Sequence, residues 1–142
     1  MIELSSPICF YDKYDGLTSK LEDLVVYNKN ILIASTDIYG LNKGNIKGKF
    51  EGRGFGQPSF SFTKVKIDGK ERVLIVGYDG IYSLGEDMIP KPEIPNLYAW
   101  KIIQSKSDSN RIYIGTETDG VASAYWDGNN FKLEKFYPNS GK

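Results

Sequence analysis

The chain contains no histidine and a single cysteine, Cys9. Without histidine it lacks the commonest general base, the commonest metal ligand and the one side chain that ordinarily titrates near neutral pH. A lone cysteine permits no intrachain disulfide and no cysteine-based metal site. An excess of one charge is missing as well, since 18 Lys and Arg balance 18 Asp and Glu. A nucleic-acid footprint needs basic residues concentrated on one face, and here they are scattered, so no nucleic-acid partner is expected. No apolar run approaches the ~18 residues of a membrane-spanning helix, and no membrane insertion is expected. The segment Met1–Leu4 has neither the basic nor the apolar region of a signal peptide. As given, the chain reads as cytoplasmic, or as periplasmic or extracellular if excised from a sensor protein.

What is present is a repeat. At 142 residues, 40% of them hydrophobic, the chain can bury a real core. Three short apolar runs, Ile31–Ser35, Val73–Gly77 and Ile112–Thr116, start about 40 residues apart, the period of a propeller-type unit. Each is rich in β-branched or aromatic residues and ends in small ones, which predicts a buried strand. An Asp-centred turn follows each run, at Thr36-Asp37, Tyr78-Asp79-Gly80 and Glu117-Thr118-Asp119-Gly120. A second strand comes next, at Ile38–Leu41, Ile81–Leu84 and Val121–Trp126, and the first two share the pattern Ile-Tyr-x-Leu. Turns are then expected at Asn42–Asn45, Gly85–Asp87 and Asp127–Asn130, made of residues that accept φ > 0 or close Asx turns.

Upstream of the apolar runs, strands are predicted over Leu24–Tyr27, Phe60–Ile67 and Leu97–Gln104. Downstream, outer strands are predicted over Ile46–Phe50, Met88–Lys91 and Phe131–Phe136. Leu17, Leu21, Leu24 and Val25 also have helical spacing behind a Ser19-to-Glu22 capping box, but the matching segments of the other units read as strands. The expected fold is therefore all-β, with three four-stranded β-propeller blades at 17–56, 57–94 and 95–142, after an outer strand and linker at 1–16.

The run Arg111-Ile112-Tyr113-Ile114-Gly115-Thr116 with Asp119-Gly120-Val121 resembles the two-component regulator propeller repeat family. Tyr14-Asp15-Gly16-Leu17-Thr18-Ser19 is similar to that family's Asp-Gly-Leu linker between blades. Units one and two depart from the pattern, with Ala34-Ser35 and Val76-Gly77 where the family has Gly-Thr. The resemblance implies a sensory or scaffold propeller whose blades recognise or transmit. Propellers close with about four to eight blades, so three form either a half-ring completed by a second copy or an excerpt completed by the remaining blades of a parent protein. Ile8–Tyr11 reads as one more outer strand, which puts the start and end of the chain at the same phase of the repeat.

No catalytic constellation stands out. There is no Gly-x-Ser-x-Gly elbow and no calcium-loop spacing of acids, so neither a metal nor another cofactor is expected. Carboxylate pairs of the glycosidase kind are partners in space rather than in sequence, which leaves a glycan-cleaving enzyme as a third reading behind a non-catalytic binding module and a self-assembling scaffold. The expected ligand contacts are Asp37, Asp79 and Asp119 at equivalent turns, Tyr78 beside one of them, Arg53 and Phe55 in the glycine-rich segment 51–57, and Trp126. For the acids turn chemistry is the competing explanation. For Trp126 and the repeated tyrosines it is packing between blades. The ligand classes in view are a small molecule, a glycan or a protein.

Overall fold

The computed structural model describes residues 17, 20–28, 31–36, 40–45, 50–52, 58–85, 87, 89–118 and 120–138. Among these residues every regular element is a β-strand: β1 (Leu21–Asn28), β2 (Ile31–Thr36), β3 (Gly40–Asn45), β4 (Glu51–Gly52), β5 (Ser59–Ile67), β6 (Lys70–Gly77), β7 (Gly80–Leu84), β8 (Pro90–Pro95), β9 (Ala99–Gln104), β10 (Arg111–Thr116), β11 (Val121–Trp126) and β12 (Phe131–Tyr137). They form four-stranded antiparallel sheets, β1-β2-β3-β4, β5-β6-β7-β8 and β9-β10-β11-β12, in which each strand pairs with its neighbour in sequence. The helical alternative at Leu21–Val25 loses to a β1 ladder that runs from Leu21↔Thr36 to Asn28↔Ile31.

Local chemistry explains the hairpins. Asp68 and Gly69 both have positive φ, 49° and 73°, the backbone signature of the tight turn whose twist matches the strands it joins. Asp127 Oδ1 accepts from the N–H groups of Asn129 and Asn130, both at 2.8 Å, so its side chain closes the β11–β12 connection as an Asx turn. At Gly80 the demand is for space, since a Cβ there would lie 2.5 Å from the carbonyl oxygen of Ile94 on β8.

Three strands are displaced from their expected positions. The turn expected at Asn42–Asn45 is part of β3, which pairs with β2 from Ile31↔Asn45 to Thr36↔Gly40. Gly44 is there not to bend the chain but to admit the Phe50 ring, which a Cβ at that position would strike. The outer strand expected at Ile46–Phe50 is observed as Glu51–Gly52, opposite Lys43 and Asn42; residues 46–49 lie outside the described residues, as does the N-terminal strand expected at Ile8–Tyr11. In the second sheet the outer strand is Pro90–Pro95 rather than Met88–Lys91. An edge strand tolerates the three prolines of this segment because its outward N–H groups have no ladder partner to lose.

The sheets stack face to face through two apolar cores. Ile33, Phe62, Val73, Ile75 and Leu84 fill the space between the first and second sheets. Leu74, Val76, Ile81, Ile102, Ile112 and Ile114 are among the residues filling the larger space between the second and third. β6 thus feeds both cores by simple alternation, odd positions to one and even positions to the other. The first strands of the three sheets lie side by side, β5 between β1 and β9. Polar bonds stitch them: Ser61 Oγ donates to the Trp100 carbonyl (3.0 Å), Thr63 Oγ1 to the Ile102 carbonyl (2.9 Å), and Phe62 N to Asp23 Oδ2 (2.8 Å).

Ile33, Ile75 and Ile114, each third in its apolar run, are all buried. Their direction is not shared. Ile75 and Ile114 each face the preceding sheet, whereas Ile33 faces the following one. Unit one is therefore offset by one residue, and with a side-chain period of two a single step moves a position to the other face.

Candidate functional site

At the end of the second and third sheets where β6 turns into β7, backbone bonds gather three connections. Tyr78 N donates to the Pro58 carbonyl (3.1 Å), Asn96 N to the Asp79 carbonyl (2.7 Å) and Glu117 N to the Tyr98 carbonyl (3.0 Å). Asn96 has φ 59°, a left-handed conformation that asparagine tolerates and that swings Leu97 inward and Tyr98 outward. The β9–β10 ladder is irregular between Gly115 and Thr116, where Thr116 pairs with Ala99 and Trp100 is skipped. Such a bulge re-aims a side chain, and here the side chain is Trp100.

The outcome is an aromatic hollow of about 70 Å³ lined by Phe60, Tyr78, Tyr98, Ala99, Trp100 and Glu117. Its rings come in two pairs. Phe60 and Trp100 lie 5.2 Å apart at 49°, and Tyr78 and Tyr98 meet edge to face, 5.8 Å apart at 87°, both within the favourable range for aromatic pairs. Tyr78, Tyr98 and Trp100 nevertheless each expose more than half of their surface. Rings held by one another and still open to solvent are pre-organised for contact with a flat apolar face. Glu117 and the two phenol groups add hydrogen-bonding capacity around it. Asp79, at the adjoining turn, accepts a hydrogen bond from the Tyr82 hydroxyl at 2.5 Å.

Of the expected contact residues, Tyr78 stands in the hollow and Asp79 beside it. Trp126 sits elsewhere, buried in the core between the second and third sheets, where it meets Phe131 edge to face at 5.2 Å and has the Arg72 guanidinium 4.5 Å above its ring. Asp37, Arg53, Phe55 and Asp119 lie outside the described residues. Phe60, Tyr98, Trp100 and Glu117 were not expected in a site. They converge from two strands, a connection and a turn, so no spacing in the sequence announces them.

A second, larger cleft of about 440 Å³ opens at the opposite end of β6, lined by Tyr27, Lys70, Glu71, Arg72, Leu84 and Gly85. The Tyr27 hydroxyl crosses it to the Gly85 carbonyl (3.0 Å). Glu71 is committed to Lys64 at 2.7 Å, and that partner holds its carboxyl below the usual range. Among the described residues no group of three acidic side chains converges as metal ligands would. No helix among them is long and apolar enough to cross a membrane.

No protein-family model matches the chain, and the search of curated proteins gives no match.

Proposed function

We propose that this chain is a non-catalytic recognition module, built as three blades of the β-propeller kind, that binds glycans through the aromatic hollow. The observation that carries this reading is the group of half-exposed rings, Tyr78, Tyr98 and Trp100, around one carboxylate, Glu117. The C–H face of a sugar ring stacks on an aromatic face, and its hydroxyls donate to a carboxylate and exchange hydrogen bonds with phenols. A shallow site of this kind holds a ligand without enclosing it, which suits recognition better than a reaction that needs water excluded. The blade reading draws on the meander order, on first strands that lie side by side, and on the repeat period of about 40 residues. The sensory role follows the resemblance to the two-component regulator propeller repeat.

The test is a titration with cellotriose, maltotriose and chitotriose, followed by tryptophan fluorescence and calorimetry. Trp100 stands in the hollow and Trp126 is buried, so binding should quench or shift the Trp100 component, and Trp100→Ala should abolish saturable heat while leaving the circular dichroism spectrum unchanged. Absence of saturable binding to all three at millimolar concentration rejects the glycan assignment. Product release from any of them would reject the non-catalytic one.

A scaffold role, in which the chain completes a ring with another copy, is favoured by a separate observation on the third sheet.

A further inference from the structure

The second and third sheets share more than their strand order. Arg72, Ser83 and Glu93 of the second recur as Arg111, Ser123 and Glu134 of the third, each about 40 positions on, the spacing of the repeat. The ladders place arginine and serine alike, Ser83 opposite Leu74 two residues past Arg72 and Ser123 opposite Tyr113 two residues past Arg111, while the glutamates fall at different steps. Ser83 sits on β7 as Ser123 does on β11, and Glu93 and Glu134 each occupy the extra residue of a bulge on the outer strand. In both sheets the serine hydroxyl donates to the glutamate, Ser83 to Glu93 at 2.6 Å and Ser123 to Glu134 at 3.1 Å.

In the second sheet this set is an interface. The other oxygen of Glu93 accepts the backbone N–H of Phe131, on the outer strand of the third sheet, at 3.2 Å. The Arg72 guanidinium lies over Trp126 of the third sheet. In the third sheet the same set stands on a face that no part of the described chain covers. Arg111 turns back on Glu134 and grips both carboxylate oxygens, at 2.9 and 2.8 Å. Around them Ile103, Tyr113, Val121 and Tyr125 are exposed, Ile103 to 62%.

We propose that this face is an interface to a second copy of the chain, and that the outer face of the copy's first sheet is what covers it. The argument is one of equivalence. A face that repeats the arginine, serine and glutamate of one already covered by a neighbouring sheet is suited to another sheet of the same kind. Among the described residues the first sheet supplies an uncovered strand face, since β1 exposes Leu24 to 40% and Val26 to 51% on the side turned away from the second sheet. The contact is head to tail, and two copies of three sheets make six, within the range at which such rings close.

The area is sufficient. Four strands about 4.8 Å apart and six residues of about 3.3 Å give roughly 400 Å² per sheet face. Two joints bury four faces, roughly 1,500 Å², the size of a standard stable interface. The inference takes over the blade part of the reading above but not its ligand, so a failed glycan titration leaves it standing.

Sedimentation equilibrium of the full chain tests it, with Leu24→Glu and Ile103→Glu as probes. Both positions are exposed, so neither change disturbs a core; Val26→Glu and Val121→Glu replace them if either variant loses its β spectrum. The expected result is a two-copy mass for the parent chain and a one-copy mass for each variant alone, because each variant spoils both joints. An equimolar mixture then shows more of the two-copy mass than either variant alone, since one of its two joints pairs an intact first sheet with an intact third sheet. A one-copy mass for the parent chain at the highest concentration overturns the proposal. So does a variant that still pairs with itself, which would mean like faces meeting, or a mixture no heavier than either variant alone at the highest concentration.

Discussion

Replacing Ile75 with Ala measures how much the smaller core holds the first sheet to the second. Ile75 is fully buried, packed with Ile33, Phe62, Val73 and Leu84. The change removes three carbons, worth about 2.4 kcal/mol at about 0.8 kcal/mol each. A cavity of up to about 70 Å³ at about 24 cal/mol per Å³ adds up to about 1.7 kcal/mol if the walls do not relax. The loss should thus fall between about 2.4 and 4 kcal/mol, towards the lower end because this core is thin and Val25, Tyr27 and Tyr82 at its margin can settle inward. Urea denaturation followed by far-ultraviolet circular dichroism reads the change as a lower midpoint at constant slope. A parallel measurement of Trp126 fluorescence, in a Trp100→Phe background, reports the larger core alone. Coincident transitions mean that the sheets melt together. A dichroism transition that precedes the fluorescence one means that the first sheet leaves separately, as stacked repeats can. A loss below about 1 kcal/mol, the scale of a surface change, would refute the placement of Ile75 between the sheets.

Gly80→Ala should destabilise by about 1–3 kcal/mol, the usual cost of forcing a group into filled space, because its Cβ would meet the Ile94 carbonyl; a neutral midpoint in the same urea assay would mean that β8 is free to move away. The Glu134 carboxyl is held below its usual range first by the Arg111 hydrogen bond, with Ser123 assisting against partial desolvation. Its folded value lies below the unfolded one, so its contribution is present above the ordinary glutamate range and is lost as pH falls through the folded value. The midpoint difference between the parent chain and Glu134→Gln, measured at low protein concentration, should therefore be greatest near neutral pH and shrink as pH falls below the ordinary glutamate range; a difference that grows on acidification contradicts the pairing.

How far the sequence could be read depended on whether a signal was local. The three apolar runs and the Asp68-Gly69 turn announce themselves within a few residues, and β2, β6 and β10 contain them. β3 and β8 do not, because what decides them is contact with something distant: a Phe50 ring needing the room left at Gly44, and an edge position that makes prolines harmless. The one-residue offset of Ile33 was hidden for the same reason, since alternation gives two faces but not which neighbour each one meets. The aromatic hollow depends on a bulge that only the paired strand β10 defines. Ser83 and Ser123 stand at matching places in their second strands and were legible in principle. Their importance becomes visible only beside Glu93 and Glu134, whose spacing the bulges shift.

Among the described residues each strand pairs with its neighbour in sequence, and no backbone ladder crosses from one sheet to the next. Ladder formation therefore closes only short loops, and chain entropy sets a low barrier to each hairpin. Docking sheet on sheet then joins preformed units through side chains. The middle sheet, with the tight Asp68-Gly69 turn and a strand that feeds both cores, is where folding has most to gain by starting. Amide protons of β6 should accordingly be the last to exchange in the native protein; faster exchange there than in β2 and β10 would place the start of folding elsewhere.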